Sequence, residues 1–125
     1  MRVLVVDDSA VTRQLIRRTI GLSGLDISEV LEAFDGADAI RVLAEHGADV
    51  LITDINMPRM GGVELVRAVR SDKVLGHIPV LVVSTDGSAA RRDVMAGLGV
   101  TGYLSKPFRP EDLRRHLAGV VGSRP

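Results

Sequence analysis

Five short apolar runs alternate along the chain with stretches of helical periodicity, and this alternation limits the possible folds more than any other feature. The runs are rich in valine, isoleucine and leucine and span residues 2–7, 27–33, 50–54, 80–84 and 101–105. Continuous apolar runs of this length are typical of strands buried on both faces of a parallel sheet. Because helices join the strands, the sequence predicts an α/β fold with a doubly wound, five-stranded parallel sheet.

The first two helices are amphipathic, and their apolar spacing predicts which side chains face the core. The first helix is expected to bury Val11, Leu15, Ile16, Ile20 and Leu22. The second is expected to bury Ala39, Ile40, Leu43 and Ala44. Asp35 is a suitable N-cap for this second helix, and Gly47 is a suitable stop.

The last two helices differ in the width of their apolar stripes. The fourth, at about residues 88–98, carries only Val94, Met95 and Leu98 as large apolar residues, which predicts loose docking. Its Arg91 and Arg92 are predicted to face solvent. The fifth is predicted to begin at Pro110 and to pack through Leu113, Leu117, Val120 and Val121. A single domain is expected over residues 1–121, with a tail or the start of a linker at 122–125.

Composition excludes several classes of function. The chain contains no cysteine, which excludes disulfides and cysteine-ligated zinc. Its formal net charge is zero, so no overall charge attracts nucleic acid or an anionic membrane. No apolar run approaches the ~20 residues that a membrane span needs, and the first run is too short for a signal peptide. A cytoplasmic protein is expected, with no direct nucleic-acid partner and no membrane insertion.

Polar side chains stand where the predicted strands end. The carboxyl ends of parallel strands share one edge of the sheet, and ligands of open α/β sheets bind there. The residues expected to converge at this edge are Asp7, Asp8, Asp54, Ser84 and Lys106. Function is therefore expected to reside in a local site at this edge.

The chemistry of this cluster suits a cation and a phosphoryl group. Two carboxylates ~4 Å apart repel by roughly 4 kcal/mol at an effective dielectric constant of ~20. Mg²⁺ relieves such repulsion and binds carboxylates together with phosphate oxygens. Lys106 is one of only two lysines in the chain, and its compact charge suits a phosphoryl oxygen. Transfer of a phosphoryl group to a carboxylate is the reaction that these parts fit best.

Four motifs in order along the chain resemble the signature of response regulator receiver domains. They are Asp7-Asp8-Ser9, Asp54-Ile55-Asn56-Met57-Pro58 with Gly61-Gly62, Ser84-Thr85, and Lys106-Pro107-Phe108. The spacing of the motifs matches the family along essentially the whole chain. The resemblance implies a flavodoxin-like (βα)5 fold with strand order 2-1-3-4-5.

The resemblance also implies a role for each site residue. Asp54 would be the phosphoacceptor, and Asp8, Asp54 and the backbone carbonyl of Asn56 would ligate Mg²⁺, with Asp7 acting through water. Lys106, Ser84, Thr85 and Tyr103 would form the phosphoryl-binding and switch group. The Lys106–Pro107 bond would be cis, as in the family.

Two departures from the common pattern bear on the lifetime of the phosphoryl group. Thr85 stands where the family often has a smaller residue, and its bulk would narrow access to the site. Asn56 and Asp86 occupy the positions that tune hydrolysis of the acyl phosphate. An amide and an acid there are compatible with positioning water, which predicts a short-lived phosphoryl state.

The resemblance implies a signalling switch rather than an enzyme. Its partners would be a sensor histidine kinase or histidine phosphotransfer protein and a downstream protein target. The target would bind the surface of the fourth helix, fifth strand and fifth helix. The first motif is most similar to stand-alone chemotaxis regulators, whose target is a flagellar motor switch. A monomer is expected, with a dimer possible on activation.

Several alternatives stay open on sequence alone. The chain could be a phosphorelay shuttle, or the receiver of a larger transcriptional or enzymatic regulator. An Mg²⁺-dependent aspartyl-phosphate phosphatase is a remoter alternative, because that class has an acid where this chain has Asn56. A dinucleotide-binding fold lacks its Gly-x-Gly-x-x-Gly after the first strand. Taken singly, Asp8 could cap the first helix, and Tyr103 could serve packing only.

Overall fold

The computed structural model describes residues 1–122 and contains five strands and five helices. In chain order they are β1 (Arg2–Val6), α1 (Ala10–Leu22), β2 (Glu29–Ala33), α2 (Gly36–His46), β3 (Val50–Thr53), α3 (Gly62–Ser71), β4 (Val80–Ser84), α4 (Ala89–Gly97), β5 (Gly102–Ser105) and α5 (Pro110–Gly122). The sheet is parallel, with order β2-β1-β3-β4-β5. The predicted fold class and strand order are confirmed.

The element bounds differ slightly from the predicted ones. Asp7 and Asp54 lie just beyond their strands, and β2 begins two residues later than the predicted run at residue 27. Of the tail predicted at residues 122–125, Gly122 ends α5, and residues 123–125 lie outside the described part. The side chain of Val121 lies outside it too.

Two apolar layers cover the two faces of the sheet. Successive strand residues point to opposite faces, so Leu4 and Val6 join one layer while Val3 and Val5 join the other. The first layer contains the buried side chains of α2, α3 and α4. The second contains those of α1 and α5. This arrangement leaves both ends of the strands open, and the carboxyl ends lead into Asp7, Asp54 and Lys106.

The predicted core faces of the first two helices are partly wrong. In α1 the buried residues are Ile16, Thr19 and Ile20, while Val11, Leu15 and Leu22 are exposed. The polar Thr19 is buried because its hydroxyl donates to the Leu15 carbonyl at 2.8 Å, which apolar spacing does not reveal.

In α2 the buried side chains are Ala39, Val42 and Leu43, and the predicted Ile40 and Ala44 are exposed. The helix is rotated so that Val42 rather than Ile40 contacts the sheet. Rotating the helix about its axis leaves the helical period of the sequence unchanged, so the period alone does not determine which face is buried.

Capping residues define the helix starts nearest the site. Ser9 caps α1 by accepting from the Thr12 amide at 3.2 Å, so Asp8 is not the cap of this helix. Asp35 caps α2 by accepting from the Asp38 amide at 2.8 Å, as predicted. Pro110 begins α5, also as predicted. With Ser9 as the cap, the carboxylate of Asp8 is available for another role.

α4 is packed thinly, as its apolar stripe predicts, and only Met95 is buried in it. Its carboxyl end is anchored by Arg70 of α3, whose guanidinium donates to the carbonyls of Gly76, Ile78, Leu98 and Gly99 at 2.7 to 3.2 Å. Burial lowers the pKa of Arg70. The helix is therefore held firmly at one end and weakly along its length.

Within residues 1–122, no helix has the length and apolar character that crossing a membrane requires.

Candidate functional site

Lys106 joins two acids that are far away in sequence. Its ammonium lies 2.7 Å from Asp7 Oδ2 and 3.1 Å from Asp54 Oδ2, across 99 and 52 positions of chain. Asp7 follows β1, Asp54 follows β3, and Lys106 follows β5, so each side chain sits at the carboxyl edge of the sheet. The predicted convergence of these three residues is confirmed.

Three carboxylates meet beside this ammonium. One oxygen from each of Asp7, Asp8 and Asp54 lies within 4.8 Å of the others, and Asp8 is exposed while its two neighbours are buried. Asp7 Oδ1 accepts from the Ser9 amide at 2.9 Å, and Asp54 Oδ1 accepts from the Ile55 amide at 2.7 Å. These bonds fix the two buried carboxylates and leave lone pairs on their oxygens.

The charges of the cluster fit a divalent cation. Burial raises the pKa of Asp7, although Lys106 and the Ser9 amide both act to lower it. The ammonium of Lys106 alone therefore does not offset the cost of burying this acid. Burial also opposes the charge of Lys106, but its bonds to Asp7 and Asp54 outweigh burial and raise the pKa of Lys106. Oxygen ligands with excess negative charge are the donor set that Mg²⁺ prefers.

Ser84 and Tyr103 meet at the loop between β4 and α4. Ser84 is fully buried at the end of β4, and its hydroxyl accepts from the Asp86 amide at 3.2 Å. The Tyr103 hydroxyl of β5 donates to the Asp86 carbonyl. Burial is the largest of the effects that raise the pKa of Tyr103. Ser84 and Tyr103, two of the four residues of the predicted switch group, thus share Asp86 as a partner, while Thr85 is exposed.

The Asp86 carboxylate is itself engaged with α4. It accepts from the Ser88 amide at 3.1 Å, and its Oδ2 lies 3.5 Å from the Arg91 guanidinium. Bonds from Ser88, followed by the charge of Arg91, lower the pKa of Asp86. Asp86 therefore connects the end of β4 with the start of α4.

The loop after Asp54 is held by residues whose role the sequence did not reveal. Arg59 has a positive φ of 63° and donates to the N-cap Asp35 at 2.6 Å, while its guanidinium lies 5.3 Å from the Phe34 ring centroid. The Gly36 amide donates to the Met60 carbonyl at 2.9 Å. These contacts fix the loop against the start of α2. In the sequence, the Asp35-Gly36 pair could have indicated a contact with this loop. Its role as the N-cap of α2 already accounted for it, so the contact with the loop was not predicted.

Gly62 allows the same loop to turn closely behind Asp54. A Cβ at this position would lie 2.1 Å from the Asp54 carbonyl oxygen, far inside contact distance. The Gly62 amide also donates to the Ile55 carbonyl at 2.8 Å. Asn56, which is exposed, lies between these contacts beside a groove of about 230 Å³.

Arg91 and Arg92 are exposed as predicted, but they are not simply solvated. Arg91 contacts Asp86, and the Arg92 guanidinium carbon lies 4.5 Å from the Tyr103 ring centroid. Sequence periodicity placed both on an outer helix face and carried no signal for these partners.

A doubly wound sheet with three acids and a lysine at its carboxyl edge defines a class of signalling domain. The family model of the response regulator receiver domain matches residues 3–118, and the chain belongs to this family.

Similarity to particular members extends over nearly the whole chain. The chain is 43% identical to chemotaxis protein CheY1 of Helicobacter pylori, covering 98% of each sequence. It is 38% identical to chemotaxis protein CheY of Pseudomonas aeruginosa, covering 96% of this chain and 95% of that protein. It also resembles the solved structure of chemotaxis response regulator CheY4 of Vibrio cholerae, with a TM-score of 0.85 and 39% identity over 95% of this chain and 97% of that one.

Proposed function

We propose that this receiver domain is a cytoplasmic switch of a two-component pathway that is phosphorylated on Asp54. The phosphoryl group would come from a phosphohistidine on a sensor kinase or a histidine phosphotransfer protein. The observation that carries the proposal is the Lys106 ammonium placed between Asp7 and Asp54, with Asp8 beside them. A buried acid next to a fixed cation suits an acceptor of a charged phosphoryl group.

The transfer exchanges one bond to phosphorus for another. An oxygen of the Asp54 carboxylate attacks the phosphorus, the P–N bond to the histidine breaks, and the imidazole leaves with the electron pair. Lys106, 3.1 Å from Asp54 Oδ2, is within reach of an oxygen of the incoming group. Asp8, Asp54 and the Asn56 backbone carbonyl would hold Mg²⁺, with Asp7 acting through water. When bound, Mg²⁺ neutralises charge on the phosphoryl oxygens.

The phosphoryl group changes the hydrogen bonding of Ser84. It brings a charge of about −1.5 to −2 and strong acceptor oxygens, toward which the Ser84 hydroxyl would be drawn. That hydroxyl now accepts from the Asp86 amide, so its movement alters the loop between β4 and α4. Asp86 in turn bonds to Tyr103, and Tyr103 belongs to the surface of α4, β5 and α5. This surface is the proposed readout of phosphorylation.

The phosphoryl state is proposed to be short-lived. Asn56 is exposed two residues after Asp54, where its amide can orient water toward the acyl phosphate. Asp86 stands two residues after Ser84, and the exposed Thr85 between them would restrict access. Decay of phospho-Asp54 over minutes is expected, and a half-life of many hours would contradict this proposal.

The pathway is proposed to be chemotaxis. The support is the similarity to CheY proteins over nearly the whole chain. The downstream target would be a protein such as a flagellar motor switch, and the resting form would be a monomer with dimerisation confined to the activated form. A pull-down with and without beryllofluoride, which mimics the phosphoryl group, tests this: the target should be retained in its presence and lost in its absence.

Labelling by a small acyl phosphate donor with Mg²⁺ tests the acceptor directly. Asp54→Asn should abolish the label, and the exposed Asp26→Asn should label like the wild type. Label that persists on Asp54→Asn would refute the acceptor assignment. Loss of the label when Mg²⁺ is chelated is expected for both the wild type and the control variant.

A further inference from the structure

Arg92 near the start of α4 contacts three residues, two in β5 and one in the loop before α4. Its guanidinium carbon lies 4.5 Å from the centroid of the Tyr103 ring. Its Nη2 donates to the Ser105 hydroxyl at 3.0 Å, and its Nε donates to the Gly87 carbonyl at 3.4 Å. One exposed side chain therefore connects α4 with β5 and with the loop that precedes α4.

The Tyr103 ring is held at two places. Its hydroxyl donates to the Asp86 carbonyl, and Arg92 lies over its face. A guanidinium over an aromatic face is attracted by the ring quadrupole and can also stack on the ring as a plane. A ring that swings away from this position loses both contacts together.

Arg92 lies where α4 has few other attachments. Met95 is the buried residue of this helix, and Ala89 and Ala90 at its start are exposed. The far end is fixed by Arg70, which donates to the Leu98 carbonyl at 2.8 Å. The contacts of Arg92 therefore fall at the end of the helix that is least packed, beside the ring that the proposed switch moves.

We propose that Arg92 is a positioning residue that holds the Tyr103 ring against the loop before α4 and couples ring and helix. The proposal deepens the function proposed above and rests on it for its consequence. With Arg92 in place, a shift of the Asp86-Gly87 loop on phosphorylation carries the ring and the start of α4 together. Without Arg92, the ring and the helix stay connected only through Asp86, which bonds to the Tyr103 hydroxyl and to the start of α4, so their movements are coupled more weakly.

The sequence provides a clean probe of the ring. Tyr103 is the only tyrosine, and the chain has no tryptophan, so ring-labelled tyrosine in NMR and tyrosine emission both report this site alone. In Arg92→Gln, the population of other ring positions should rise about two- to fivefold, the effect of losing an exposed cation–π contact. Acrylamide quenching of the emission should rise with it.

Two further variants separate positioning from general effects of mutation. Arg92→Lys keeps the charge but not the planar group. The population of other Tyr103 ring positions in this variant should lie between those of the wild type and Arg92→Gln. Arg67→Gln removes an exposed arginine from α3 and should leave the ring signal unchanged. An Arg92→Gln ring signal identical to that of wild type would overturn the proposal. If Arg92→Gln does not fold, a wild-type ring signal in Arg92→Lys overturns it.

Titration with beryllofluoride and Mg²⁺ separates this proposal from the function on which it rests. Fluorine NMR detects the bound fluoride, while the tyrosine signal reports the ring. The tyrosine response to binding should be reduced in Arg92→Gln at unchanged occupancy, and an unchanged response refutes the coupling. If even the wild type binds no beryllofluoride, the proposed phosphorylation fails, and the ring comparison in the free proteins still decides the positioning role of Arg92.

Discussion

Replacing Gly62 by alanine is expected to damage the site without touching any of its charged groups. The added Cβ would lie 2.1 Å from the Asp54 carbonyl oxygen and 2.9 Å from the Ile55 Cα. Contacts of about 3.0 Å are the closest that a Cβ tolerates, so the backbone must move by almost 1 Å. Overpacking of this kind costs about 1–3 kcal/mol of unfolding free energy. A displacement of about 1 Å at a reacting group lowers its reactivity roughly 100-fold.

Denaturant unfolding and the rate of labelling by an acyl phosphate measure these two effects separately. Gly119→Ala is the matched control, because no atom beyond its chain neighbours and its own helix backbone lies within 4 Å of the added Cβ, and the residue is in the last turn of α5. Alanine there should stabilise the protein by about 0.4–1 kcal/mol and leave labelling unchanged. If Gly62→Ala has the unfolding free energy and the labelling rate of the wild type, then the close contact between position 62 and the Asp54 carbonyl does not constrain the site.

Three other perturbations test the packing and the charges. Leu65→Ala should cost about 2–5 kcal/mol in unfolding experiments because Leu65 is fully buried, whereas Leu22→Ala, at a side chain 79% exposed, should change stability by less than about 0.5 kcal/mol. The Asp38 amide and then Arg59 lower the pKa of Asp35 below 3.8. The ionised Asp35 carboxylate therefore stabilises the folded state above that pH, and this stabilisation is lost as the pH falls further. The unfolding free energy of Asp35→Asn should therefore depend less on pH below about 4 than that of the wild type. An unchanged dependence on pH in this range would contradict the lowered pKa of Asp35. Lys106→Ala should tighten Mg²⁺ binding about tenfold, because it removes the ammonium that competes with Mg²⁺ for the carboxylates of Asp7 and Asp54. Phosphorylation of Asp54 should become slower in the same variant. Weaker Mg²⁺ binding would contradict this competition.

The fold and the centre of the site were predictable because both follow from short patterns. Apolar runs separated by helices specify a parallel sheet, and the strand ends of a parallel sheet must share an edge. Asp7, Asp54 and Lys106 each follow such a run directly, so their meeting needed no knowledge of loop conformation. Their contacts are the part of the site that the sequence predicts best.

The supporting contacts were not predictable because they depend on helix rotation and loop path. Leu15 and Leu22 fit the helical period as well as the buried residues of α1 do, and only packing against the sheet separates them. Arg59 reaches Asp35 because the backbone adopts a left-handed conformation after Pro58. Arg92 of α4 contacts the Tyr103 ring of β5, and this contact depends on how the two elements pack. The contacts of both arginines form only after the backbone is in place.

The four carbonyls bound by Arg70 determine the form that any motion of α4 can take. Two of them precede β4 and two precede β5, so this guanidinium ties together the amino-terminal ends of both strands and the last turn of α4. A motion that preserves these hydrogen bonds is a pivot about the carboxyl end of the helix. Displacement then grows toward Ala89, so a partner that binds the first turn of α4 responds to the largest movement of this helix.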